Sequence, residues 1–72
     1  MSFVEEQQVK ALAELFPVYG NNIDEKVTNK IVSDTIIATA KWANKMLKDY
    51  GLDDEFTDNE IAGLIKQAKE SK

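Results

Sequence analysis

Cysteine, histidine and arginine are all absent from these 72 residues, and proline occurs once. Without cysteine there are no disulfides and no thiolate metal site. Without histidine the chain lacks the commonest general base and pH switch near neutrality. Every one of the nine basic residues is a lysine, so the bidentate reader of phosphate and guanine is missing. Long hydrophobic runs are also missing. The longest near-apolar stretch, Thr35 to Ala40, falls far short of the ~20 residues that span a bilayer. At the start, Met1-Ser2-Phe3-Val4 runs directly into Glu5 and Glu6, which is not the pattern of a signal peptide. The expectation is a cytoplasmic protein with no membrane segment.

Size sets the next bound. The expected organisation is one helical domain over residues 1–72. A chain this short buries only about 60% of its unfolded surface, while ordering costs roughly 1.5 kcal/mol per residue. Small proteins offset that cost with disulfides, a metal or oligomerisation. Here self-association is the staple that remains, and a homodimer or higher homo-oligomer is expected. A net charge of −4 disfavours nucleic acid and anionic membranes as partners.

What is present is helix grammar. Residues 22–50 read as one amphipathic helix of roughly 28 residues, about 42 Å long. Asn22-Ile-Asp-Glu25 has the form of a capping box. Gly51 can take the left-handed conformation that ends a helix. Ser33-Asp34, within a β-branched cluster, offers a point where a second helix could begin, so a broken helix is the alternative. At 100° per residue, Val32, Ile36, Ala40, Ala43, Leu47 and Tyr50 form one stripe. Ile23, Val27, Ile31 and Ala38 fall on roughly the opposite side. Two apolar faces call for two partners.

A shorter helix is expected on each side. The first spans Ser2 to about Leu15, opened by the box Ser2-Phe-Val-Glu5 and closed at Phe16 by Pro17. Its stripe is Val4, Gln8, Ala11, Leu12, Leu15 and Phe16, and Val18 and Tyr19 are expected to pack beneath the turn that follows. The third runs from Thr57-Asp-Asn-Glu60 to about Lys69, with Phe56 and Ile61 as a hydrophobic staple. The fold class is therefore all-α: three helices, a long central one flanked by two shorter antiparallel ones. The first helix should cover Ile23, Val27 and Ile31, and the third Ile36, Ala43 and Leu47. Between them a strip of Thr39, Trp42 and Met46 is left without cover. Trp42 reads either as an interface anchor or as an ordinary core residue.

Other candidate sites have plainer readings. Five acids between Asp53 and Glu60 lack the spacing of a calcium loop. They serve helix starts and solubility, or else an acidic decoy that imitates nucleic acid. Lys41, Lys45 and Lys48 share a face at i, i+4 and i+7. With no arginine and no interleaved aromatic, a solvated face is favoured over a phosphate-tracking strip. Ser33, Thr35 and Thr39 have no base beside them and there is no glycine-rich phosphate loop, so neither catalytic residues nor a cofactor or metal site is expected.

The segment from Thr35 to Lys69 carries Ala40-Lys-Trp-Ala-Asn-Lys-Met-Leu47, Tyr50-Gly-Leu52 and Asp58-Asn-Glu-Ile-Ala-Gly-Leu-Ile65. It resembles the soluble C-terminal part of LLH-type phage holins, where a helix ending in a Gly-aliphatic pair is followed by an acidic cap and a short helix. The similarity covers about half of the chain, and no membrane span accompanies it, so holin activity is not carried over. The resemblance implies a phage or prophage source and a role in helical assembly. The function expected is a small non-enzymatic interaction protein that self-associates. The alternative is an acidic inhibitor acting on a nucleic-acid-binding enzyme, and direct DNA binding through the lysine strip ranks third.

Overall fold

The computed structural model describes residues 2–71. Among them the chain forms α1 (Phe3–Tyr19), a 3-10 turn (Gly20–Asn22), α2 (Glu25–Asp49) and α3 (Glu55–Glu70). The all-α, three-helix fold class holds, with a long central helix and a shorter helix packed back along it on either side. Over the described residues no helix is long and apolar enough to cross a membrane.

Each helix starts on a side chain that accepts an otherwise unpaired amide. Ser2 Oγ accepts from the Glu5 amide at 3.2 Å and donates to the Glu5 carboxylate at 3.1 Å, so the first box forms in altered form. α2 begins later than expected. Asn22 is used in the 3-10 turn and Ile23 is extended, so the cap falls to Asp24, whose carboxylate accepts from Val27 N at 3.0 Å. The helix is therefore 25 residues long, about 37 Å, and it passes through Ser33-Asp34 without a break. α3 begins earlier than expected. Asp54, not Thr57, is the cap, accepting from Thr57 N at 2.7 Å. That extra turn leaves Phe56 73% exposed, and the expected staple with Ile61 does not form.

The helix ends also differ in instructive ways. α1 continues through Pro17 to Tyr19. A proline in the last turn forfeits one hydrogen bond and disturbs only the carbonyl four residues earlier. Gly20, at φ 57°, then turns the chain while its amide donates to Phe16 O. Val18 and Tyr19 stay exposed instead of packing under this turn. At the end of α2, Gly51 has φ 69°. Leu52 N donates to Leu47 O at 2.8 Å and Gly51 N to Lys48 O at 3.1 Å, a Schellman closure.

The flanking helices share one side of α2, contrary to the two-faced expectation. α3 runs back along α2 from its C-terminal end and α1 packs against α2 from Thr28 to Ala43, and the two flanking helices meet where Gln8 reaches Ser71 and Phe3 approaches Leu64. The described core is correspondingly thin: Val4, Ala40 and Ala68 are buried, together with Gln8 and Ser33. Gln8 Nε2 donates to Ser33 Oγ at 3.0 Å and to Ser71 O at 2.8 Å, with a longer contact to Asn29 O at 3.4 Å. One amide thus joins α1, α2 and the end of α3. Because α1 covers the Asn29–Ser33 side, Val27 and Ile31 remain 52% and 59% exposed.

The result is a slab of 46 × 20 × 14 Å with a radius of gyration of 14.3 Å. A compact chain of this length has about 11 Å.

Candidate interaction surface

Thr39, Trp42 and Met46 lie at i, i+3 and i+7 and so share a stripe of α2. Thr39 is exposed, Trp42 is 63% exposed and Met46 is half-buried. The indole is thus outside the protomer's own core. Its solvent contact follows from the one-sided packing of α1 and α3, which leaves Thr39 and Trp42 uncovered, whereas Met46, expected to be open as well, is partly covered.

Beside the stripe runs an apolar groove of ≈ 320 Å³. Phe3 forms one end of its lining, Ile36, Thr39 and Ala43 the α2 wall, and Ile61 and Leu64 the α3 wall. Thr35 and Ala40 complete it. Thr39 therefore belongs both to the groove and to the stripe that carries Trp42. A second cleft follows the α1–α2 seam past Ala11, Ile31, Val32 and Ile36. Phe3, 51% exposed, borders both. The stripe was legible in the sequence. The groove was not, because it is made by Phe3 and Leu64 arriving at α2 from opposite ends of the chain.

The remaining candidates stand apart. Lys41, Lys45 and Lys48 are all exposed. Among the acids, Asp53, Asp54, Glu55 and Glu60 are exposed and Asp58 is half-buried. No group of three or more potential metal ligands converges among the described residues. Asp54 is occupied as a cap: the Thr57 amide, then the Thr57 hydroxyl and the Phe56 amide, hold its carboxyl below the ordinary carboxylate range. Ser33 is buried in the contact with Gln8, and Thr35 donates back to Ile31 O at 2.8 Å within its own helix. The hydroxyls singled out in the sequence are thus separated into a core contact, a helix back-bond and an exposed stripe.

No protein-family model, curated protein or solved structure matches the chain.

Proposed function

We propose that the protein is a small, non-enzymatic helical interaction module that works as a homodimer through the apolar flank of α2 containing Thr39, Trp42 and Met46. The observation that carries this reading is surface area. The protomer exposes 5413 Å², whereas a folded monomer of 8.1 kDa is expected to expose about 4,500 Å². The excess, about 900 Å², is close to the ~800 Å² that each partner contributes to a standard protein interface. Large apolar side chains contribute to the exposed surface: Phe3, Ile31 and Trp42 are each more than half exposed. Tryptophan in particular is enriched among the residues that dominate interface energies. A role in helical assembly is also what the resemblance of residues 35–69 to the soluble part of LLH-type phage holins implies.

Sedimentation equilibrium across the micromolar range is the direct test. A species of twice the 8.1 kDa chain mass is expected, and a monomer at every concentration sinks the reading. Duplex DNA added at low salt should leave the sedimentation unchanged, because the lysine face is solvated and carries no arginine.

A further inference from the structure

Taking self-association through this flank as its basis, we infer that the contact is reciprocal: the Trp42 indole of each copy seats in the apolar groove between α2 and α3 of the other. The occupant is a second copy of this chain. Knob and hole lie at the same height on the protomer, since Thr39 lines the groove and sits one helical turn from Trp42. A two-fold axis passing beside Thr39 therefore carries each Trp42 to the other copy's groove, as a self-complementary interface requires. The sizes agree. A cavity of about 150 Å³ accepts a benzene ring, so ≈ 320 Å³ has room for an indole. The lining agrees too: Ile36, Ala43, Ile61, Leu64 and Phe3 offer the ring an apolar wall. The surface in excess of a compact monomer matches one partner's share of such an interface.

Two variants separate this geometry from dimerisation in general. Trp42→Ala removes the knob and keeps the groove, while Leu64→Glu spoils the groove and keeps the knob. Each alone should dimerise at least roughly tenfold more weakly than the natural chain. An equimolar mixture should associate more tightly than either, because one intact knob-and-groove pair is restored. Circular dichroism checks that Leu64→Glu folds. If it does not, Ile61→Lys, on the α3 wall and away from the Trp42 stripe, spoils the groove and takes its place in the mixture. Trp42 is the chain's only tryptophan, so its emission should shift to the blue as the protein dimerises. A chain that stays monomeric overturns the self-association reading and this inference with it. A dimer whose mixed variants show no gain, or whose Trp42 emission does not move, overturns the knob-and-groove contact alone.

Discussion

Gln8 brings an amide into a buried junction of all three helices. It is 7% exposed and Ser33 is fully buried, so their hydrogen bond forms away from water, where an unmatched polar group is expensive. Gln8→Ala should destabilise the fold by about 2–4 kcal/mol, combining a cavity with the lost partners of Ser33 Oγ and Ser71 O. Ser33→Ala should cost about 1 kcal/mol, and the double variant less than the two together. Urea denaturation of the four proteins completes the cycle, and strict additivity would dismiss the Gln8–Ser33 bond as a source of stability. The position of Gln8 in an otherwise apolar helical stripe was visible in the sequence. Its three acceptors were not, because Asn29, Ser33 and Ser71 lie 21, 25 and 63 residues away. Ser33 was conspicuous only as a place where α2 could break. Buried beneath Gln8, it sits on the packed side of an unbroken helix.

At the scale of the element, local chemistry explains most of what was legible. Three helices, their order and the closure at Gly51 follow from periodicity and caps, which act over a few residues. The starts of α2 and α3 were misplaced because adjacent caps competed. At Asp54-Glu-Phe-Thr57 and Thr57-Asp-Asn-Glu60 two frames overlap, and the ionised carboxylate is the stronger acceptor for the orphan amide. The choice of face was illegible for another reason. Both stripes of α2 are apolar, and only the arrival of α1 and α3 on the same side decides which is covered. The competition at α3 has a pH signature. The folded-state pKa of Asp54 is lowered by the Thr57 amide first, so its contribution is present above the unfolded value of about 3.9 and is lost as pH falls through the folded value. Asp54→Ala should therefore lower the denaturation midpoint at pH 7, and the gap should close on acidification. Asp54→Asn, which caps without a charge, should sit between them at pH 7. A gap between Asp54→Ala and the natural chain that persists unchanged to pH 2 would remove the carboxylate from the account of how α3 begins.

The whole molecule is a layer of helices more than a closed bundle. α1 and α3 both lie on one side of α2, overlapping where Phe3 and Gln8 meet Leu64 and Ser71, so the other side of α2 has no second layer from the protomer. Side chains that fill a core elsewhere are left at the surface here, Trp42 at 63% exposure and Ile31 at 59% among them. No cross-link is available to hold such a thin fold together, because the chain has no cysteine. If a second copy supplies the missing layer, folding and association are linked, and stability must depend on protein concentration. Each tenfold rise in concentration contributes about 1.4 kcal/mol per dimer, half of it per chain. For a domain of this size that moves the thermal midpoint by roughly 3–5 °C. The natural chain should show this slope when its melting is followed by circular dichroism over a hundredfold concentration range. Trp42→Ala should melt lower and with little or no slope, since its removal takes away the anchor of the contact. The flank is apolar, so added salt should leave the slope in place, whereas a contact held by the exposed lysines and acids would weaken under screening. A natural chain whose midpoint stays fixed across that range would mean that the single layer is stable alone.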